Sequence, residues 1–268
     1  MLAAAPRRSP GWKPKQHGAW FMLALPVVVG LIVRPADAGD ASHLLPLIGC
    51  WVIGYLAFNA ATLWLKAPAG RRSRHSRPVV VYGLIAGALG VLTLLSSDRG
   101  VLWWLVLFAP LVGVALWLAS LRRERTLISG ALTVAAASLV TLVVSFDTPA
   151  ALFAAWGTPL AGQALGMVAV LFGYEFGTVF SVKTMIRERG HTGWLAASIG
   201  WHLGCTLGAV GMAWSGAIGW IWVAFFAATA VRAWLLPVLG RTRTIRPLVV
   251  GLVEIGFTTA FVVAALLN

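Results

Sequence analysis

The chain has 268 residues, of which 59% are hydrophobic and only 11% charged. A soluble domain carries roughly a quarter charged residues, so a water-soluble globule is excluded and a polytopic membrane protein is indicated. The formal net charge of +13 comes from basic residues in short stretches between apolar segments, with no interleaved aromatics, which fits membrane topology and excludes a nucleic-acid groove.

The N-terminal segment 1–17 reads MLAAAPRRSPGWKPKQH and is basic. No small-residue cleavage site follows a short apolar core, so the segment is read as mature sequence on the cytoplasmic side. Its Lys15 and His17 stand at the mouth of the first apolar span, where a helix N-terminus helps to hold an anion. Residues 18–268 read as a single transmembrane helical domain.

Nine apolar spans are expected, at about 18–33, 44–65, 78–97, 101–121, 127–146, 162–183, 195–213, 216–236 and 247–267. With the N-terminus inside, the inner segments hold 18 of the 21 basic residues. The outer loops hold only Arg34 and Arg99, beside Asp37, Asp40, Asp98 and Asp147. That bias places the N-terminus in the cytoplasm and the C-terminus outside.

The second span carries Tyr55, Asn59, Thr62 and Lys66 on one helical face. It opens into a basic loop with Arg71, Arg72, Arg74, His75 and Arg77 and no acid. Asn and Lys are costly in hydrocarbon, so this face should look into a bundle interior or a wet cavity. A membrane-embedded anion site follows. Cys50 and Cys205 lie inside apolar segments and read as unpaired small hydrophobes. The glycines of GLIAGALG (83–90) and GAIG (216–219) are expected to serve close helix packing. The outer loop 147–159 has room for a short interfacial helix.

The sixth span repeats the pattern. Tyr174, Thr178 and Ser181 share one face, Glu175 lies beside it, and Lys183, Arg187 and Arg189 follow at the mouth. The two polar segments stand four spans apart, as an internal duplication would place them. Glu175 and Glu254 are the carboxylates within spans and Arg232 the deep cation. Such groups either pair with one another or mark a site, and both readings stay open for Arg232 and Glu254. His202 is read as a hydrogen-bonded packing residue, with a ligand role as the alternative. No GxSxG, SxxK or Walker pattern supplies a nucleophile or phosphate loop.

KQHGAWFMLALP at 15–26, the basic segment ending in Arg77-Pro78, and VKTMIRERG at 182–190 resemble the YwiC-like membrane proteins. That likeness implies a bacterial inner-membrane protein. A more distant likeness is to the UbiA superfamily of intramembrane prenyltransferases, which implies an all-α bundle of nine helices with a cytoplasmic N-terminus. In that family two Asp-rich motifs hold magnesium and an isoprenoid diphosphate. Asn59 stands where the first motif's leading Asn would be, and Arg77-Pro78 where an Arg-Pro pair follows. Ala60 and Thr62 replace expected aspartates, Lys66 stands near a third, and the second segment offers Glu175 without an Asp pair. One carboxylate per site does not build a magnesium cluster, so no cofactor is firmly implied.

The leading expectation is a UbiA-like bundle whose cavity opens to the cytoplasm and binds a membrane lipid or isoprenoid phosphate. Lys15, His17, Lys66, Arg71, Arg72, Arg77, Lys183, Arg187 and Arg189 would neutralise the head, and Tyr55, Asn59, Tyr174 and Glu175 would orient it. Asn59 and Glu175 are the candidate catalytic groups for transfer of a prenyl or similar lipid group. The alternatives are a transporter of a small anion or lipid, and a non-catalytic membrane assembly partner.

Overall fold

In lipid a backbone must satisfy its own N–H and C=O groups, and the described chain does so with helices alone. The computed structural model describes residues 11–14, 19–242 and 245–268. The helices are α1 (Ala19–Val33), α2 (Leu44–Lys66), α3 (Ser73–Leu95), α4 (Leu105–Ser120), α5 (Leu127–Phe146), α6 (Pro149–Ala154), α7 (Pro159–Val182), α8 (Thr192–Trp214), α9 (Ile221–Thr242) and α10 (Pro247–Leu267). Short 3₁₀ segments precede α3 and α4, and Lys183–Arg187 continues α7 as a π-helical turn.

Among the described residues, eight helices are long and apolar enough to cross a membrane. The first expected span is the 15-residue α1, apolar but shorter than the ~20 residues a crossing takes. Eight membrane-length helices therefore stand where the sequence suggested nine spans. Outward-facing Leu84, Leu95, Leu207, Trp214 and Leu248 are at least 70% exposed, a surface suited to hydrocarbon and not to water. The protein is a multi-pass membrane protein.

Three boundaries differ from or sharpen the sequence reading. The basic stretch before Pro78 is not all loop: α3 starts at Ser73, so Arg74, His75 and Arg77 sit on its first turns. The 3₁₀ turn Ala69–Arg71 and the bond from His75 N to Arg72 O (2.9 Å) give this backbone helical partners before the apolar run begins. GAIG at 216–219 is a turn and not a packing seam within a helix. Gly216 has φ +77, a left-handed value that glycine adopts without strain, and α9 begins only at Ile221. The loop after α5 does contain a short helix, α6, whose N-cap Thr148 accepts from Ala151 N at 3.2 Å.

The chain divides into two compact units. Unit 1 comprises the described residues up to Leu23 together with Ala38–Thr133. Here α2 lies along α3 and also meets α4. The Trp51 indole donates to the Leu23 carbonyl (2.9 Å), and the Cys50 thiol to the Ala86 carbonyl (3.3 Å). The Tyr82 hydroxyl donates to the Trp12 carbonyl (2.7 Å), and the two rings meet edge to face at 5.5 Å, fixing residues 11–14 on α3.

Unit 2 comprises Ala24–Asp37 and Val134–Asn268. Its core is built on α7, where Ala164, Met167, Val170, Leu171, Tyr174 and Phe176 are all buried. Gly173 and Gly177 let α8 approach closely. A Cβ at Gly177 would stand 2.9 Å from His202 Nε2, and the Gly173 carbonyl accepts from the Trp201 indole at 3.0 Å. Phe172, Phe176 and Phe180 pack around the Trp201 ring beside this seam. Arg34 and Asp147, both assigned to outer loops from sequence, form a two-pronged ion pair at 2.5 and 2.9 Å; Arg34 also donates to the Val144 carbonyl.

Candidate functional site

Each unit carries one cluster of polar side chains that hydrocarbon would not tolerate alone. In unit 1, Tyr55, Asn59, Thr62 and Lys66 descend one face of α2, all half-buried. Trp20 lies edge-on to Tyr55 at 6.4 Å. The Thr62 hydroxyl turns back onto the Asn59 carbonyl at 2.8 Å, while Asn59 Nδ2 is buried with no hydrogen-bond partner among the described residues. Lys66 reaches Glu124 at 3.0 Å, and Arg122 donates to the Lys66 carbonyl at 3.4 Å.

Glu124 was missed in the sequence. It is the one acid among Arg122, Arg123 and Arg125, and that isolation was the available signal. Burial pushes its carboxyl up. The hydrogen bond from Lys66, a backbone bond and the charges of Lys66 and Arg125 outweigh that and hold it below the ordinary 4.5.

Beyond Lys66 the cluster becomes an exposed basic edge. Arg71, Arg72, Arg74 and Arg77 are all exposed, and no acid occurs between Lys66 and Asp98. The Arg72 guanidinium lies over the Trp64 ring at 5.1 Å and its Nε donates to the Ala67 carbonyl at 3.3 Å. An indole next to guanidinium groups at a helix end is the chemistry of a membrane–water boundary.

In unit 2 the polar face of α7 meets the deep ion pair. Arg232 Nη1 donates to Glu254 Oε2 at 2.6 Å, with the side chains 2% and 15% exposed. The Thr178 hydroxyl donates to the same oxygen at 3.1 Å. Arg232 Nη2 donates to Ser181 Oγ and to His202 Nε2, each at 3.4 Å, and the guanidinium lies 4.7 Å from the Phe257 ring. His202 Nδ1 lies 2.7 Å from the Ser198 carbonyl. That carbonyl only accepts, so Nδ1 carries the proton and Nε2 presents its lone pair to Arg232. Thr258 donates to the Glu254 carbonyl at 2.9 Å, leaving its oxygen to accept from Tyr174 at 3.0 Å.

The expected face Tyr174, Thr178 and Ser181 is therefore the wall of this network. Arg232 and Glu254 are the ion pair that was one of two readings, and His202 is a hydrogen-bonded partner within it. Thr258 was not foreseen, because a threonine in an apolar helix ordinarily bonds only its own backbone, and Ser198 enters through its backbone carbonyl one turn before His202. One positive and one negative group cancel here, and the imidazole is neutral, so the network is internally balanced.

Glu175 stands apart. It is 2% exposed, and neither carboxyl oxygen has a hydrogen-bond partner among the described residues. At the end of α7, Lys183 Nζ sits 3.8 Å from the Trp194 ring centroid, Arg187 is exposed, and Arg189 donates to the Gly240 carbonyl at 2.7 Å. Lys15 and His17 lie outside the described residues.

The family model described as YwiC-like protein matches residues 14–145. A Bacillus subtilis (strain 168) protein named Uncharacterized protein YwiC is 28% identical over 226 residues, covering 82% of this chain and 84% of that one. Over these residues the chain is similar to the YwiC-like proteins. No solved structure matches it. The residues matched by the YwiC-like model include Lys15, His17, Tyr55, Asn59, Lys66, Arg71, Arg72 and Arg77, whereas Lys183, Arg187 and Arg189 fall beyond them. A Bacillus relative fits a bacterial membrane.

Proposed function

We propose that this YwiC-like membrane protein binds the phosphate-bearing head of a lipid or isoprenoid at the Arg-rich edge where α2 gives way to α3. The observation carrying the reading is the set Arg71, Arg72, Arg74 and Arg77, exposed and close in sequence beside Trp64, with no acid nearby in the chain. Guanidinium groups take phosphate oxygens in a two-pronged geometry, and an indole belongs at headgroup depth. The exposed apolar side chains of Val80 and Leu84 on α3 offer the tail a surface continuous with lipid. Lys66 contributes less than sequence alone suggested, since Glu124 already neutralises it. The unpartnered Asn59 amide supplies a donor deeper along α2. Lys183, Arg187 and Arg189 give unit 2 a second basic stretch, interrupted by Glu188, in which Lys183 lies on the Trp194 ring and Arg189 bonds the Gly240 carbonyl.

Lipid-group transfer on a UbiA-like scaffold is the catalytic form of this reading, with Asn59 on α2 as its candidate group. Magnesium does not fit that form. Among the described residues no three His, Cys, Asp or Glu side chains converge to hold a metal ion, and a hard cation needs several oxygens. Density for protein purified with native lipid tests the binding reading. An elongated ligand ending on Arg71, Arg72 and Arg77 supports it, and a bare basic edge with no such density counts against it.

A further inference from the structure

Among the described residues of unit 2, Glu175 is the ionisable side chain whose every polar atom is buried without a hydrogen-bond partner. It lies near the middle of a membrane-length helix, is 2% exposed, and has both oxygens unpartnered among the described residues. A lone ionised carboxylate in such surroundings is far more costly than a neutral one, so a positive partner must accompany it.

The charged and titratable groups on the elements packed against α7 do not supply that partner. On α9, Arg232 is committed to Glu254, Ser181 and His202. On α8, His202 is held between Ser198 and Arg232, and the Cys205 thiol points to the Gly173 carbonyl. On α10, Glu254 is paired with Arg232 and Thr178. On the π-helical turn, Lys183 lies against the Trp194 ring and Arg187 is exposed. A metal ion would need further oxygen or nitrogen ligands, and no such cluster exists among the described residues. A proton needs a single oxygen.

We propose that Glu175 is a proton-binding site in the membrane interior, a neutral carboxyl within a helix whose other polar face is already balanced. This stands independently of headgroup binding at α3. It gives the protein one group that can take up or release a proton when its surroundings change, a property the Arg232–Glu254 pair lacks while it remains closed. It also makes Glu175 a target for an apolar carbodiimide. The carboxyl proton passes to a carbodiimide nitrogen, the oxygen adds to the central carbon, and the acyl group then migrates to nitrogen as a stable N-acylurea. Every atom of both reactants is retained and nothing is oxidised or reduced.

The test uses the full chain reconstituted in lipid at neutral pH. Infrared difference spectra between wild type and Glu175→Gln should show the carbonyl band of a protonated carboxylic acid, lost completely in the variant. Glu175→Asp should move the band without abolishing it, which guards against a Gln variant that fails to fold. Dicyclohexylcarbodiimide should add one reagent mass to the α7 peptide at Glu175, and the adduct should disappear in Glu175→Gln. A spectrum in which the wild-type difference contains only ionised carboxylate bands overturns the proposal. So does modification of Glu175 by a water-soluble carbodiimide as fast as by the apolar one.

Discussion

Arg232 and Glu254 meet at 2.6 Å inside unit 2, and each also bonds to the face of α7, through Ser181 and Thr178 respectively. Taking two charges out of water is expensive, and the attraction between them offsets the cost only while both remain. Arg232→Met or Glu254→Met alone should destabilise the protein by roughly 3–5 kcal/mol, because each leaves a charge buried without its partner. The double variant Arg232→Met/Glu254→Met should recover much of that loss. Thermal unfolding in detergent of the three variants and wild type completes the cycle, and strictly additive losses would contradict the pairing.

The Lys66–Glu124 pair predicts a pH dependence of definite sign. The folded Glu124 carboxyl lies below its ordinary value, so its contribution to stability is present above that value. It is lost as pH falls through the folded value. Both side chains are 25% exposed, so the contribution is modest, about 1 kcal/mol or less at neutral pH. Glu124→Gln should therefore be slightly less stable than wild type at pH ~7, and the two should converge as pH falls through the folded value. A difference that grows on acidification would reverse the assignment.

Close approach at Gly177 predicts a steric cost that Gly204 and Gly251 do not share. An added Cβ would stand 2.9 Å from His202 Nε2, a ring held at both nitrogens. Gly177→Ala should cost roughly 1–3 kcal/mol, as overpacking in a filled core does. At Gly204 and Gly251 nothing lies within 4 Å of the same position. Alanine there should be neutral or stabilising by up to about 1 kcal/mol, since it also restricts the unfolded chain. Unfolding midpoints of the three variants decide the matter.

The sequence made the helical character, most span positions and the polar faces legible because each is a local periodic pattern. Tyr174, Thr178 and Ser181 share a face by arithmetic, and Arg232 and Glu254 stand out as charges within apolar runs. What the face meets was not legible, since the bond between Tyr174 and Thr258 arises only through the packing of α7 against α10. The same holds for Lys66. Its face was visible, but its partner Glu124 lies 58 residues away in a loop dominated by arginines. The start of α3 was misplaced because Pro78 looks like a boundary, yet exposed arginines before it are tolerated on a helix that protrudes from the apolar layer. The turn at Gly216 was hidden by the equal suitability of glycine for close packing and for positive φ.

Headgroup binding at the Arg-rich edge is tested most directly by retention of a polyprenyl monophosphate, read by native mass spectrometry across a ligand titration. Each arginine at such a boundary is worth about 1 kcal/mol, roughly fivefold in affinity. Arg71→Gln/Arg77→Gln should therefore weaken binding on the order of twentyfold, given independent contributions. Arg99→Gln, a basic residue at the far end of α3 from that edge, should leave it unchanged. Equal affinity of wild type and the Arg71/Arg77 double variant would contradict the account and leave the arginines as determinants of topology alone.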